Sequence, residues 1–438
     1  MEVGVDDLGL VMFCCSDFAG QVRGKGAPAR ALEKRLLSGV GLAPTNMMIN
    51  CFGTIPATPW RGNGDLVLRP APETGIALTP ERSGAALRFY LGNIEQLDGQ
   101  PWPCCPRSYL ASSLERLERE HGLRLTVSFE HEFTVTSIEP RFGSAYGLDA
   151  ILQLGRLPDL ILAGLDEAGL EPETFLPEYS PGQFEFTLDP APALAAADRA
   201  VQARQVVRTI CGAQGHTASF SPIMRRGGVG NGVHIHFSFQ DLDGQPVTYD
   251  PGQPHGISER AGAFVAGILA HGRALTAITA PSAISYERLR PNAWSASSTN
   301  LGVKDREAQV RLCPVSEKPG TDTARAFNFE YRAADAAASP YMALGALVRA
   351  GLAGLAAAAP TPRPVSATAA EALSPDEQAA LGLRPLPKSL GEALDELERD
   401  EVLLAPEMAQ AYLMHKRGEL ALAQEMGEDS FARYAQVY

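Results

Sequence analysis

Val127-Ser-Phe-Glu-His-Glu-Phe-Thr-Val135 has the alternating pattern of a half-buried β-strand. Because successive side chains of a strand point to opposite faces, Glu130 and Glu132 share one face and the aromatic residues share the other. Two carboxylates this close repel each other unless a cation lies between them. The stretch by itself leaves two interpretations open, a solvated strand face or a pair of ligands for a divalent metal ion.

Three later segments also bring polar side chains together. They are Glu178-Tyr-Ser-Pro-Gly-Gln-Phe-Glu185, Gly230-Asn-Gly-Val-His-Ile-His-Phe-Ser238 and Phe329-Glu-Tyr-Arg332. Taken singly, two histidines on a strand are structural more often than they are ligands, and a Glu-x-Arg pair is usually a surface ion pair. Taken together, the glutamates of these segments and His234 are mostly oxygen donors, which suit Mg²⁺ or Mn²⁺ better than zinc. The segments therefore predict a site with enough ligands for two or more metal ions.

Three arginines follow on further strand-like segments. Arg288 stands in a Tyr-Glu-Arg-Leu motif, and Arg306 and Arg311 both stand in the stretch 304–312. Guanidinium groups bind phosphates and carboxylates through paired hydrogen bonds. Arginines beside a metal cluster in an acidic protein therefore indicate a phosphorylated or carboxylate substrate.

The composition excludes several classes of partner. The chain has 438 residues, of which 45% are apolar and 20% charged, as is ordinary for a protein of two or three folded domains. Its formal net charge of -13 argues against a nucleic acid or an anionic membrane as the main partner. The apolar stretch Met342–Ala359 contains Arg349 and many small residues, which predicts a buried helix and not a membrane span.

The cysteines and the first residues predict a cytoplasmic location. The 7 cysteines form an odd set without a CxxC spacing, which favours reduced thiols over disulfides or a zinc site. The chain starts with an acidic segment, which is unlike a signal or transit peptide.

A domain boundary is predicted at Pro101-Trp-Pro-Cys-Cys-Pro106, because its prolines interrupt both helices and central strands. Before it, short β-type runs between Gly and Pro clusters predict a small α+β domain over residues 1–105. After it, residues 106–438 carry the metal-site segments and form the predicted catalytic domain. Helical patterns are found at Ala27–Leu37, Arg107–His121, Ala191–Cys211, Ser258–Thr279, Pro340–Ala357 and Ser389–Leu404.

The ordered motifs resemble those of the glutamine synthetase superfamily. The shared features are the Glu-x-Glu strand, Glu…Gly-Gln-x-Glu, Gly-Asn-Gly-Val-His-Ile-His-Phe-Ser, Tyr-x-Arg-Leu, the paired arginines and Phe-Glu-x-Arg…Ala-x-Ser-Pro-Tyr-Met-Ala-Leu. The resemblance extends from Ser16–Gly24 to Leu386–Leu394 and implies an α+β fold, a β-grasp N-terminal domain followed by a catalytic domain with a curved antiparallel sheet. It also implies ATP as a substrate and a homo-oligomeric double ring (a dodecamer), with sites completed at the subunit interfaces.

The resemblance implies roles for individual residues. One metal ion would be held by Glu132, Glu178 and Glu185, and the other by Glu130, His234 and Glu330. Two or three Mg²⁺ or Mn²⁺ ions are expected for each site. The residues expected to contact ATP are His236, Ser238, Arg306 and Arg311. The residues expected to bind glutamate are Gly230, Arg288 and Arg332. The resemblance implies that Arg306 and Arg332 act as catalytic residues beside the phosphorylated intermediate, and we expect Trp294, where the chain departs from the family, to complete the catalytic set.

The chain departs from the family in its ammonium site. Trp294 stands where glutamine synthetases carry a flexible-loop glutamate, six residues after the arginine of the Tyr-x-Arg-Leu motif. The neighbouring subunit's usual aspartate aligns with Cys51, although Asp65 is retained, and Val229 replaces an asparagine near the glutamate. An indole supplies neither the charge nor the base that ammonium requires, but its face can pack on an alkyl or aromatic amine.

These departures lead to one hypothesis and two alternatives. We expect an ATP-dependent ligase that forms a γ-glutamyl amide from glutamate, or a related acid, and an organic amine through a γ-glutamyl phosphate. The first alternative is an ordinary glutamine synthetase with an altered ammonium site. The second is a non-catalytic protein that binds ATP or a metabolite as a sensor, although a sensor need not keep every metal-ligand position.

Overall fold

The structure, a computed structural model, describes residues 9–139 and 143–438. It contains a six-stranded sheet in the N-terminal part and a nine-stranded sheet in the remainder. Helices pack on both parts, so the predicted α+β class is confirmed.

The N-terminal sheet has the β-grasp arrangement. Its strands are β1 (Leu10–Ser16), β2 (Val22–Pro28), β3 (Val40–Leu42), β4 (Leu66–Pro70), β5 (Ile76–Leu78) and β6 (Leu87–Glu95). The spatial order is β2-β1-β6-β4-β3, and β5 pairs with β6. Strands β1 and β6 run parallel at the centre, whereas β2 and β4 are antiparallel to them. The predicted β-grasp domain is therefore confirmed.

The second sheet is antiparallel except at one edge. Its strands are β7 (Arg124–Val135), β8 (Pro172–Pro177), β9 (Gln183–Leu188), β10 (Ala191–Pro192), β11 (Ala218–Ser219), β12 (Val233–Gln240), β13 (Leu301–Val303), β14 (Val310–Leu312) and β15 (Phe329–Tyr331). The order is β13-β14-β15-β12-β7-β9-β8, with β10 and β11 also paired to β7. Only β13 and β14 run parallel to each other among these pairs. The longest strand, β7, thus lies inside the sheet with partners on both sides.

Strand β7 shows the alternation expected from its sequence. From Leu125 to Val135 every second residue is buried, and the residues between them are partly exposed. The buried face includes Phe133, whose ring lies 6.0 Å from that of Phe186 and 5.3 Å from that of Phe220. Because aromatic packing fixes this face in the core, the face with Glu130 and Glu132 is turned away from it.

Helices pack against both sheets. Their bounds are Leu32–Ser38, Pro80–Ser83, Pro106–His121, Leu148–Gln153, Leu157–Glu167, Ala193–Ala213, Glu259–Ala270, Gly272–Thr279, Thr323–Ala326, Pro340–Ala356, Ala367–Ala372, Pro375–Ala380, Leu390–Glu398, Pro406–Met426 and Asp429–Val437. The prediction of one helix over Ser258–Thr279 is wrong, because the chain bends by 75° between two helices at His271. The carbonyl of Gly272 there accepts a hydrogen bond of 3.0 Å from Nε2 of Gln309.

The helix expected at Ser389–Leu404 is also shorter than predicted. It ends at Glu398. Beyond it, Oδ1 of Asp400 accepts hydrogen bonds from the backbone amides of Val402, at 2.9 Å, and Leu403, at 3.1 Å. A side chain that bonds its own following backbone in this way offers an alternative to helix continuation.

Within the described residues, no single helix has both the length and the apolar character to cross a membrane. The bent pair Glu259–Ala270 and Gly272–Thr279 reaches these limits only when its two helices are taken together. Both helices pack against Pro340–Ala356 of the same chain.

Two glycines allow the helices Glu259–Ala270 and Pro340–Ala356 to cross closely. A Cβ atom on Gly267 would lie 2.1 Å from the carbonyl oxygen of Ala350, and one on Gly354 would lie 2.1 Å from that of Ala263. Both distances are far below van der Waals contact, so any larger residue must push the helix backbones apart.

We predict that Gly267→Ala lowers the free energy of unfolding by about 1–3 kcal/mol, because the overlap outweighs the better helix propensity of alanine. Gly212→Ala is the matched control, since a Cβ on this helical glycine meets nothing within 4 Å. We expect the control to be neutral or to stabilise by up to about 1 kcal/mol. Urea denaturation of the two variants checks this, and equal stability of both would contradict the close crossing.

Candidate active site

Strand pairing brings the predicted metal ligands to one face of the nine-stranded sheet. His234 of β12 lies opposite Glu130, and Glu185 of β9 lies opposite Glu132 on the other side of β7. Glu330 of β15 continues the row on the far side of β12. Directly opposed residues of antiparallel strands point to the same face, so register and alternation together assemble the group.

The first cluster contains Glu130, His234, His236 and Glu330. Nδ1 of His234 lies 3.1 Å from Oε2 of Glu130 and 3.5 Å from Oε1 of Glu330. Nε2 of His236 lies 3.0 Å from Oε1 of Glu130, so a residue predicted to contact ATP lies beside predicted metal ligands. Burial raises the pKa of Glu330, but the nearby charges of His234 and Arg332 outweigh it and lower the pKa to about 2.

The second cluster contains Glu132, Glu178 and Glu185. Oε2 of Glu132 accepts a hydrogen bond of 3.0 Å from Nε2 of Gln183. Oε2 of Glu178 accepts one of 3.1 Å from the hydroxyl of Tyr146. These neutral donors orient the carboxylates without cancelling their charge. Burial raises the pKa of Glu178 above its usual value, and the charge of Glu132 adds to this effect.

Glu185 lies between the two clusters. One of its carboxylate oxygens, together with ligand atoms of Glu130 and His234, forms a group within 4.8 Å. Burial, followed by the negative charges of Glu130 and Glu132, raises the pKa of Glu185 to about 9. A divalent cation would offset this repulsion. The donors are carboxylate oxygens and an imidazole, a set that fits Mg²⁺ or Mn²⁺.

Arg311 and Arg332 both bind Glu330. Nη1 of Arg311 lies 2.8 Å from Oε2 of Glu330, and Nη1 of Arg332 pairs with the other carboxylate oxygen. Arg332 also donates from Nε to the backbone oxygen of Arg306, at 2.7 Å, and from Nη2 to that of Trp294, at 3.1 Å. This guanidinium therefore connects a predicted metal ligand with the other two predicted catalytic residues.

The remaining residues predicted to contact ATP lie at the edge of this group. Ser238 is two positions beyond His236 on β12, opposite Thr126 of β7. The side chain of Arg306 is exposed and makes no hydrogen bond or ion pair within residues 9–139 and 143–438. Its charge is therefore available to an anionic substrate.

Arg288 and Gly230, predicted to bind glutamate, touch each other. A Cβ atom on Gly230 would lie 2.3 Å from Cγ of Arg288, so only glycine fits there. The buried guanidinium of Arg288 donates to the hydroxyl of Ser295, at 3.1 Å, and to the carbonyl of Ala334, at 2.6 Å. Both of these partners are neutral, so neither of them balances the positive charge of Arg288.

The positions that depart from the family lie in two different environments. Trp294 is 61% exposed and Val229 is 39% exposed, so an indole and an isopropyl group face solvent near Arg332 and Gly230. Cys51 is instead buried in a cluster with Tyr434 and Tyr438, and burial raises the pKa of its thiol well above the usual range. A neutral thiol supplies no anion for an ammonium site.

The pattern of the sequence did not identify three further residues of the site. Sγ of Cys313 lies 3.7 Å from Nδ1 of His236, which also lies 2.9 Å from Oδ1 of Asn328. Trp294 donates its backbone N–H to Oε1 of Glu307, at 3.1 Å. Cys313 stands two positions after Arg311, so strand alternation could have identified it. The contact of Glu307 with Trp294 joins two loops, and no periodicity in the sequence marks it.

Comparison with known proteins agrees with this geometry. The family model of the glutamine synthetase catalytic domain matches residues 103–434, and that of the glutamine synthetase N-terminal domain matches residues 2–102. The chain belongs to the glutamine synthetase family. The predicted family membership is thereby confirmed, and with it the predicted class of ATP-dependent carbon–nitrogen ligases that use divalent metal ions.

Relatives within the glutamine synthetase family differ in their named products. The chain is 34% identical to the γ-glutamylpolyamine synthetase GlnA3 of Streptomyces coelicolor over 96% of this chain and 92% of that protein. It is 31% identical to a glutamine synthetase of Methanocaldococcus jannaschii over 81% of this chain and 79% of that protein. A crystal structure described as a novel glutamine synthase homolog superposes with a TM-score of 0.90 at 39% identity, covering 98% and 99% of the two chains. A γ-glutamyl ligase thus agrees with these relatives, which leave the acceptor open.

We predict that Mn²⁺ raises the melting temperature of this glutamine synthetase family member and that Glu185→Gln removes most of the rise. Binding at 100 times the dissociation constant stabilises a protein by about 2.7 kcal/mol. Glu115→Gln is the control, because Glu115 is exposed on the helix Pro106–His121. An unchanged Mn²⁺ response in Glu185→Gln would contradict a metal site at this carboxylate.

We predict that the contribution of Glu185 to the stability of the metal-free protein falls as the pH rises. The pKa of Glu185 is about 9 in the folded protein, above the value of about 4.3 for an unfolded chain, so folded protein binds the proton more tightly. Stability from this group is present at low pH and is lost as pH rises through that window. Melting temperatures in a chelator should show a shallower decline from pH 6 to about 9 for Glu185→Gln than for the wild type, and parallel curves would contradict the raised pKa.

Proposed function

We propose that the protein is an ATP-dependent ligase that joins glutamate to an organic amine, forming a γ-glutamyl amide through γ-glutamyl phosphate. The observation that carries this proposal is the combination at one site of a full set of metal ligands and arginines with an exposed indole. Trp294, which is 61% exposed, stands where the sequence predicts the family's ammonium-binding glutamate, and Arg332 donates a hydrogen bond to its backbone oxygen.

The residue roles follow from charge and position. Metal ions, two or three for each site, would be held by Glu130, Glu132, Glu178, Glu185, His234 and Glu330. Bound there, the metal ions would offset the negative charges of ATP and glutamate and so reduce the repulsion between these two substrates. The residues proposed to hold ATP are His236, Ser238, Arg306 and Arg311. The residues proposed to hold glutamate are Gly230, Arg288 and Arg332.

The proposed reaction has two steps, the phosphorylation of glutamate and the attack of the amine. The γ-carboxylate oxygen of glutamate attacks the γ-phosphorus of ATP, and ADP leaves with the electron pair of the broken P–O bond. The amine nitrogen then attacks the acyl carbon, loses a proton, and displaces inorganic phosphate. Arg306 and Arg332 would stabilise the phosphoryl oxygens in both steps, and the holding of both substrates in one site supplies much of the rate.

The acceptor is proposed from the chemistry of Trp294. Ammonium needs anions that bind it and remove its proton, and an indole provides neither. An indole face instead binds alkyl groups and attracts organic cations. The name of the Streptomyces coelicolor relative, a γ-glutamylpolyamine synthetase, supports an acceptor of this kind.

An ordinary glutamine synthetase is the second candidate, and the Methanocaldococcus jannaschii relative favours it. The two candidates share every residue role except that of Trp294. The sensor hypothesis receives less support, because a sensor need not keep the metal-ligand positions, whereas ligand atoms of Glu130, Glu185 and His234 lie within 4.8 Å of one another and Arg311 lies beside Glu330.

Assembly, domain division and location complete the proposal. We propose a homo-oligomeric double ring with sites at subunit interfaces, made of chains with a domain over residues 1–105 and another over residues 106–438. The separate matches of the two family models support this division. The cytoplasm is the proposed location, supported by the 7 cysteines that are all free within the structure.

We predict that phosphate release with glutamate and ATP is faster with an organic amine, such as ethylamine or butane-1,4-diamine, than with ammonia. The ratio of kcat/KM values for amine and ammonia should be at least about tenfold. Trp294→Glu restores a carboxylate and should shift this ratio toward ammonia, whereas Trp294→Phe should preserve it. Ammonia as the best acceptor of the wild type would refute the proposal.

A further inference from the structure

The carboxylate of Glu307 lies against the backbone of Trp294. Its Oε1 accepts the Trp294 N–H at 3.1 Å. Its Oε2 makes no hydrogen bond or ion pair with any residue in the ranges 9–139 and 143–438. Glu307 is partly exposed, so this second oxygen can receive a donor from a ligand.

Both backbone polar groups of Trp294 are held by hydrogen bonds. Its N–H is bound by Glu307, and its carbonyl oxygen accepts from Nη2 of Arg332 at 3.1 Å. The residue has a φ of 51°, a left-handed conformation that a bulky side chain adopts only when its surroundings impose it. These two hydrogen bonds supply that constraint, and the indole remains exposed between them.

This arrangement sets an upper limit on the distance between the Glu307 carboxylate and the guanidinium of Arg332. One residue spans at most about 3.6 Å, so Oε1 of Glu307 lies within about 10 Å of Nη2 of Arg332. Arg332 is proposed to bind the phosphorylated intermediate. Glu307 therefore lies within about 10 Å of Nη2 of Arg332, a separation that a small diamine with its hydrogen bonds can bridge, and the backbone of Trp294 lies between the two groups.

Neighbouring carboxylates are occupied, in contrast to Glu307. Asp305 accepts the backbone N–H of Glu307 on Oδ1, at 3.0 Å, and that of Ala367 on Oδ2, at 2.6 Å. Glu330 is bound by Arg311 and Arg332. None of the described basic side chains forms an ion pair with Glu307, so its negative charge remains available to a cation.

We propose that Glu307 binds the second ammonium of a diamine or polyamine acceptor, whose first amine attacks the acyl phosphate. The alkyl chain would lie over Trp294, and the ammonium would donate to Oε2 of Glu307. This inference rests on the proposed function, and it names the acceptor class within it: an amine that carries a second positive charge.

The test compares two acceptors that differ only in that charge, butane-1,4-diamine and n-butylamine. Glu307→Gln removes the charge but keeps an oxygen that accepts the Trp294 N–H, so it preserves the loop. We expect it to raise KM for the diamine by about tenfold, as for a lost charge-assisted hydrogen bond, and to leave KM for n-butylamine and glutamate within about twofold. Glu371→Gln, an exposed carboxylate on the helix Ala367–Ala372, is the matched control.

The other outcomes separate the two proposals. Equal KM values for the two amines in wild type and in Glu307→Gln would overturn the role of Glu307 while leaving an amine ligase intact. A parallel rise for both amines would show that Glu307 only positions Trp294, which also overturns acceptor binding. If the wild type accepts neither amine and uses ammonia, the proposed function itself fails.

Discussion

Repulsion among carboxylates on one face of the central sheet is the constraint on which the site depends. The pairing of Glu132 with Glu185 across β7 and β9 places like charges directly opposite each other, and burial adds the cost of desolvation. The opposite face of β7 is fixed in an aromatic core and prevents the strand from turning. A bound metal ion, or a proton on Glu185, therefore relieves the repulsion of this pair without disturbing the fold.

The two sides of this row are balanced differently. On the side of Glu330, two guanidinium groups and two histidines lie close to the carboxylates and hold the pKa of Glu330 down to about 2. On the side of Glu185, burial and the negative charges of neighbouring glutamates outweigh the nearby imidazole of His234 and raise the pKa of Glu185 to about 9. A metal ion would therefore stabilise the site most at the end with Glu185. The arginines lie at the end with Glu330, where we propose that the phosphoryl group is transferred.

Strand alternation predicted much of this site from the sequence, because Glu130 and Glu132 differ by two positions and must share a face. The register between β7 and β9 was not encoded in either strand alone, and only the resemblance to a family supplied it. The break at His271 and the contact of Glu307 with Trp294 escaped prediction for one physical reason. Each depends on a side chain distant in sequence, Gln309 in one case and a loop carboxylate in the other, which no local pattern reveals.

The proposed amine acceptor would distinguish this protein from an ammonia-using relative, and we ascribe the difference to Trp294 and its backbone partners. The most direct measurement offers the enzyme equal concentrations of ammonia and butane-1,4-diamine, with glutamate, ATP and Mg²⁺, and determines the products by mass spectrometry. We predict that the γ-glutamyl amide of the diamine predominates. A product mixture dominated by glutamine would contradict it.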